Sequence, residues 1–263
     1  MEDRGDDMPR YPKAIHTLIS NLHWTKDTIG MGNSHVRLFI EKPWVLKIFH
    51  DCDQGHREIA LLRWLDEQKI PVPKIIETAE DKKYVYLLMT KLEGLMSCDP
   101  MMVKKPEMVI DLLADGIKRL QRINIQDCPF SLTIKDRLKI AKTYLEKGEV
   151  DMDTWDTDII KGRFQTPQEL YTYLENHQPK EDLVFVHGDY CLPNIFIKED
   201  TLSGFLDLGL AGIADKHLDL AICMRSIKYN FETDQHKELF FSKFDFVVDE
   251  KKIDYYLLLD ELF

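Results

Sequence analysis

The chain has 263 residues, 44% hydrophobic and 31% charged, an ordinary soluble composition that can bury a real core in one or two lobes. Its net charge of −11 argues against a nucleic-acid partner, because phosphate backbones reward basic patches. No apolar run approaches the length of a membrane span, so no membrane partner is expected. The five cysteines form no CxxC pair, which fits reduced thiols in the cytoplasm. Residues 1–10 are acidic, lack a signal-peptide layout and read as a mobile tail. The acidic balance suits a cationic small substrate, although it also simply keeps a protein soluble. A monomer or weak dimer is expected.

In chain order, Val36 to Ile40 and Trp44 to Phe49 read as two strands joined by a hairpin at Glu41-Lys42-Pro43. Gly55 to Gln68 has the period of an amphipathic helix, stopped by Pro71 and Pro73. Ile75 to Glu77 and Tyr84 to Thr90 read as further strands, the second apolar enough to be buried on both faces. Helical spacing then takes over in Glu107 to Ile123, Leu132 to Gly148 and Pro167 to Asn176, the last opened by a Thr166 cap and a first-turn proline. Leu183 to Val186, Ile195 to Lys198 and Ser203 to Leu206 look like short strands. Helical runs at Leu218 to Lys228, Gln235 to Phe244 and Lys252 to Phe263 close the chain. The shift near Leu92-Glu93-Gly94 marks a hinge between residues 1–93, a small β-rich lobe, and residues 94–263, a larger helical one. Nucleotide sites favour such clefts.

The stretch Val186 to Phe196 carries the chemistry. Asp189 and Asn194 stand five positions apart, and Asp207 follows thirteen later in Leu206-Asp207-Leu208-Gly209. That order is the phosphoryl-transfer layout His-x-Asp-x-x-x-x-Asn followed by Asp-x-Gly. Phosphoryl transfer asks for a group that orients the attacking hydroxyl, a task suited to Asp189. It also asks for hard oxygen ligands for magnesium, suited to Asn194 and Asp207.

Upstream, Gly30-Met31-Gly32-Asn33-Ser34 can turn tightly and aim amides at phosphate, or be an ordinary hairpin turn. Lys47 is a lysine within an apolar strand, and Glu58, eleven residues on, can pair with it. So fixed, the lysine would meet the α- and β-phosphates of ATP or GTP. Met89, Thr90, Lys91 and Leu92 would supply the backbone edge for the base.

With those residues in place, the chain closely resembles the aminoglycoside 3′-phosphotransferase family from Thr28 to Phe263. The landmarks are Ile70-Pro71-Val72-Pro73-Lys74, Leu87-Leu88-Met89, Asp127-Cys128-Pro129 and His187 to Asn194. Further ones are Ala214-Asp215-Lys216, Arg225-Ser226-Ile227 and the ending Tyr255 to Phe263. The resemblance implies an α+β, bilobal protein-kinase-like fold and ATP-dependent transfer to a hydroxyl of kanamycin- or neomycin-class sugars. It implies Asp189 as catalytic base, Asn194 and Asp207 as magnesium ligands, Lys47 on the phosphates, and Glu58 positioning that lysine. Gly32 and Ser34 would cover the β- and γ-phosphates. Substrate contacts carry over to Asp153 and Asp156 beside Trp155, to Arg225, and to Asp260, Glu261 and Phe263. Several ammonium groups need several carboxylates, which gives that set a physical reason.

Four features depart from the pattern the resemblance implies. Leu210 stands where the family often has arginine. Tyr229 and Asn230 stand where relatives place drug-gripping acids. Val45 replaces an adenine-stacking aromatic, facing Leu206, and Gln121 stands where histidine is common. The catalytic set is untouched, while substrate range is open. A kinase of another amino-sugar or small alcohol, or a nucleotide-binding module without transfer, remain as alternatives.

Overall fold

The computed structural model describes residues 11–26 and 35–263. The first elements are helix α1 (Lys13–Ile19), strands β1 (Trp24–Lys26), β2 (His35–Phe39) and β3 (Trp44–Phe49), helix α2 (Cys52–Glu67), and strands β4 (Ile75–Glu80) and β5 (Val85–Thr90). The five strands form one antiparallel sheet in the order β1-β2-β3-β5-β4. The expected hairpin is present, with Leu38 opposite Val45.

Alternation along β3 sorts the sheet into two faces. Leu46 and Ile48, with Tyr86 and Leu88 of β5, pack with Ile15 and Ile19 of α1. Val45 and Phe49, with Val85, Leu87 and Met89, pack instead with Ile59, Leu62 and Leu65 of α2. Strand β5 is therefore covered on both sides, as its unbroken apolar run implies. Helix α1 escaped the hydropathy reading because only two of its seven residues are buried.

After residues 91–94 come β6 (Leu95–Met96), α3 (Pro100–Val103), α4 (Pro106–Gln121), α5 (Ile134–Lys147), α6 (Thr157–Ile160) and α7 (Pro167–Asn176). Then follow β7 (Leu183–Val186), β8 (Ile195–Lys198), β9 (Thr201–Phe205), β10 (Gly212–Asp215), α8 (His217–Phe231), α9 (His236–Phe241) and α10 (Glu250–Asp260). Local chemistry sets several ends. Thr133 and Asp136 form a capping box on α5, and left-handed Gly148 closes it. Strand β9 starts two residues before the expected Ser203, because Glu199 and Asp200 both take positive φ and make a tight two-residue hairpin with β8. The long helix expected over Gln235 to Phe244 stops at Phe241.

Strands β7 and β10 pair antiparallel, and β8 lies between β6 and β9. These short ribbons carry the loops 187–194 and 206–211 on a helical base. Gly94 takes φ +97°, and a Cβ there would lie 2.2 Å from the Ile197 carbonyl, so the crossing between the sheet and the helical part needs glycine.

At the end of β10, Asp215 is fully buried. It accepts from the Asp182 and His217 amides at 2.7 and 2.8 Å and from Lys252 Nζ at 2.6 Å, with His217 Nδ1 at 2.8 Å. Burial works against ionisation, but these donors win and hold its carboxyl down at about 2. A folded-state value below the unfolded one means stability present above about pH 4 and lost as pH falls toward 2. In urea titrations, Asp215→Asn should be less stable by about 2 kcal/mol at neutral pH, and the gap should narrow through that window. A constant gap down to pH 2 would contradict the linkage.

Candidate active site

The loop 187–194 joins β7 to β8 and is held from beneath. Asp219, fully buried on α8, accepts from the His187 amide at 2.7 Å and the Gly188 amide at 2.9 Å. Burial pushes the Asp219 carboxyl up, and the two amides oppose that shift. Ser226 Oγ accepts from Leu192 N–H at 2.9 Å, and Ser97 Oγ donates to the Leu192 carbonyl at 2.8 Å. Tyr190 donates to the Leu113 carbonyl at 2.9 Å, its hydroxyl filling the space a Cβ at Gly116 would need. Gly188 takes φ +84°, with a hypothetical Cβ 2.0 Å from the Leu210 carbonyl, so any side chain would separate this loop from the next one. The Cys191 thiol is pushed up by burial and by neighbouring Asp189, which leaves it a poor nucleophile.

Asn194 Nδ2 donates to the Asp189 carbonyl and to Asp189 Oδ2, both at 3.0 Å. Because the amide nitrogen is engaged this way, the amide oxygen faces elsewhere and is available as a ligand. Lys47 reaches Glu58 at 2.8 and 3.0 Å and Asp207 at 2.6 Å, across 160 positions of sequence. Burial alone would discharge Lys47, but Glu58 and Asp207 outweigh it and raise its pKa. Burial lifts the Glu58 carboxyl above its ordinary value despite the ammonium beside it. For Asp207, burial is overcome by Lys47 and the carboxyl is held low. Asp207 itself sits in the left-handed region at φ +57°. Arg57 ties α2 to this loop by donating to the Gly209 and Ala211 carbonyls at 2.7 Å each.

Val45 and Met89 are buried opposite one another in the β3–β5 ladder, and Leu206 donates its amide to the Asn194 carbonyl at 2.8 Å. At the crossing, Thr90 N–H goes to Lys74 O and Lys91 N–H to Pro43 O. The Leu92 amide meets no backbone acceptor among the described residues. Gly32 and Ser34 lie outside the described residues.

On the far side, Arg225 donates to Asp260 and, at 3.4 Å, to Glu261. Arg137 donates to the other Asp260 oxygen at 2.9 Å, so that carboxylate is already paired twice and is held low against its burial. Glu261 also accepts from the Asp156 amide at 2.7 Å, and Trp155 Nε1 donates to the Glu261 carbonyl at 2.8 Å. Burial raises the Glu261 carboxyl. The Phe263 ring lies 4.6 Å from the Arg137 guanidinium and edge-on to Tyr144. Arg225 is close enough to Asp189 to feel its charge. Asp153 stands apart, exposed in a 3-10 turn capped by Asp151.

The departures other than Val45 lie in the helical part. Leu210 and Tyr229 are exposed, by 49% and 82%, giving apolar and aromatic surface where charge was expected. Asn230 turns its amide back to the Ser226 carbonyl at 2.8 Å, and Gln121 Nε2 donates to the Lys216 carbonyl at 2.9 Å. Sequence reasoning missed Asp219, Arg57, Arg137 and Ser97. Each acts on backbone or side chains distant in sequence, and no local pattern marks it.

A family model described as the phosphotransferase enzyme family matches residues 27–244. An aminoglycoside 3′-phosphotransferase of Niallia circulans is 36% identical over 260 residues, covering 96% of this chain and 97% of the relative. Among solved structures, an aminoglycoside-3′-phosphotransferase of type VIII superposes with a TM-score of 0.81 at 24% identity, covering 95% of this chain and 97% of that one. Aminoglycoside phosphotransferase APH(3″)-Id of Streptomyces rimosus, solved with ADP and streptomycin, gives 0.80 at 24%, covering 94% and 95%. These superpositions establish the bilobal, protein-kinase-like α+β fold. With a family match over most of the chain and end-to-end identity to a curated relative, the chain is a member of the aminoglycoside 3′-phosphotransferase family.

Proposed function

We propose that this chain transfers the γ-phosphate of ATP, or of GTP, to a hydroxyl of a kanamycin- or neomycin-class aminoglycoside, and so confers resistance. The observation that carries the reading is the tie of Lys47 to both Glu58 and Asp207 at 2.6 to 3.0 Å, beside the Asp189–Asn194 pair. Family membership and the nucleotide and drug bound to the Streptomyces rimosus enzyme support it. Residues 1–93 serve as the nucleotide lobe and residues 94–263 as the catalytic and substrate lobe. The enzyme works in the cytoplasm as a monomer or weak dimer.

In this reading, nucleotide enters between the lobes, with Val45, Met89 and Leu206 against the base and the Lys91–Leu92 edge bonding it. Gly32 and Ser34 cover the outer phosphates. Lys47 leaves Asp207 to meet the α- and β-phosphates, and Glu58 keeps it in place. Asp189 orients the sugar hydroxyl and takes its proton as the new O–P bond forms. The bond from the γ-phosphorus to the β-phosphate oxygen breaks, and ADP leaves. Asn194 and Asp207 offer hard oxygen donors that fit magnesium, which neutralises phosphate charge when bound. Asp153, Asp156, Arg225, Asp260, Glu261 and Phe263 form the drug side, where Arg225 sets the two terminal acids.

A second acceptor class, another amino-sugar or small alcohol, is favoured by the exposed Leu210 and Tyr229 and the inward-turned Asn230. One measurement separates the two. Drug incubated with enzyme and ATP should gain one phosphate by mass spectrometry, at a ring hydroxyl located by fragmentation. An unmodified aminoglycoside panel, with turnover on a simpler amino-sugar, would replace the first reading with the second.

A further inference from the structure

A groove of about 220 Å³ opens beside the drug side, between α6, α8, α9 and α10. Its charged lining includes Asp156, Asp158, Arg225, Lys228 and Asp234, with Lys161 and Lys237. Arg225 and Lys228 lie three residues apart on α8, so both project from one face of that helix. The first cation is half-buried against two more buried acids, Asp260 and Glu261. The second is more exposed. Lys228 Nζ lies 2.8 Å from Asp158 Oδ2 and 3.4 Å from Asp234 Oδ1, with the lysine side chain 43% exposed. The remaining acid of the groove, Asp254, is held by the two terminal guanidinium nitrogens of Arg163 at 2.8 and 3.0 Å.

Lys228 thus clasps two carboxylates from opposite rims, α6 and the turn after α8, with a primary ammonium. That is the same chemical group an amino-sugar would bring. Both acids are mostly exposed, at 69% and 76%, so the clasp is weak and displaceable.

We propose that Lys228 is a specificity-determining residue: its ammonium occupies the acid pair at the outer end of the drug groove and selects against acceptors that carry an extra amino group there. This inference deepens the phosphotransferase reading and rests on it for the identity of the ligand. An amine-rich acceptor must displace Lys228 before it can use Asp158 and Asp234, while an amine-poor one leaves the clasp closed.

The test is Lys228→Met, which keeps the stem and removes the charge. For amine-rich aminoglycosides of the neomycin class, KM should fall about two- to fivefold, with kcat unchanged. Amine-poor members of the kanamycin class should change less. The gain should shrink as salt is raised and disappear in Lys228→Met/Asp158→Asn/Asp234→Asn. Equal KM changes across the series, no change, or a change in kcat would overturn the proposal. Calorimetric binding of the same drugs without nucleotide keeps the two readings separable. A Lys228→Met gain in binding without any transfer would remove the enzymatic reading and keep the clasp. Transfer by both proteins with identical affinities would remove the clasp alone, and no binding to either would remove both.

Discussion

Asp189→Ala should lower aminoglycoside-stimulated ADP release by about 10²- to 10⁴-fold, the range removed with a positioned general base, while nucleotide affinity stays within about twofold. The two effects separate because different residues carry them. Lys47, Glu58 and Asp207 form one ion-paired unit, and among the described residues no hydrogen bond or ion pair joins it to Asp189. Asn194 also keeps its 3.0 Å bond to the residue-189 carbonyl after the side chain is gone, so its amide oxygen should hold its direction. Coupled-assay kinetics and nucleotide titration measure the two quantities on one preparation. Unimpaired turnover would show that the hydroxyl is oriented by some other group, and lost nucleotide affinity would show that the two units are not independent.

Asp219→Ala should reduce turnover by at least about 100-fold, although residue 219 is fully buried and has no route to either substrate. Its carboxylate is the acceptor for two adjacent amides, His187 and Gly188, immediately before Asp189. Removal strands both N–H groups in a dry interior, at about 1–3 kcal/mol each. The loop would relieve that by moving, and a shift of about 1 Å at a reacting group is enough for a loss of that size. Asp219→Asn should fall between, because one amide oxygen can satisfy only part of the pair. Urea unfolding gives the stability change, and nucleotide binding tests whether the sheet lobe is intact. Normal kcat in a folded Asp219→Ala protein would mean that the loop is held by Ser226, Ser97 and Tyr190 without it.

How far each feature was legible follows from the distance over which its cause acts. Helix α7 matches its expected bounds, Pro167 to Asn176, because Thr166 accepts from Glu169 N–H and proline occupies the first turn, all within four residues. Strands β7 and β8 match theirs for the same reason, as short apolar runs between breakers. Strands β6 and β10 were not visible: two and four residues long, they exist only because β8 and β7 lie alongside. The start of β9 was misjudged because a polar pair, Glu199 and Asp200, adopts the left-handed turn usually marked by glycine.

The site divides in the same way. The order and spacing of Lys47, Glu58, Asp189, Asn194 and Asp207 are written in the chain, since this chemistry needs particular atoms in a particular sequence of elements. Their identities required no coordinates. Only the tertiary structure decided which groups are already neutralised. Asp260 looks like a free carboxylate in the sequence, yet Arg137 and Arg225 both hold it. Asn230 shows in the sequence only that no acid stands at that position, and the fold turns its amide to Ser226. Asp219 looks like an ordinary helix acid and instead supports the loop that carries Asp189, from 32 residues away. Chain order specifies which functional groups are available, because side-chain chemistry is intrinsic. Partnering depends on packing across the whole fold, where burial makes an unpaired charge or amide too costly to leave alone.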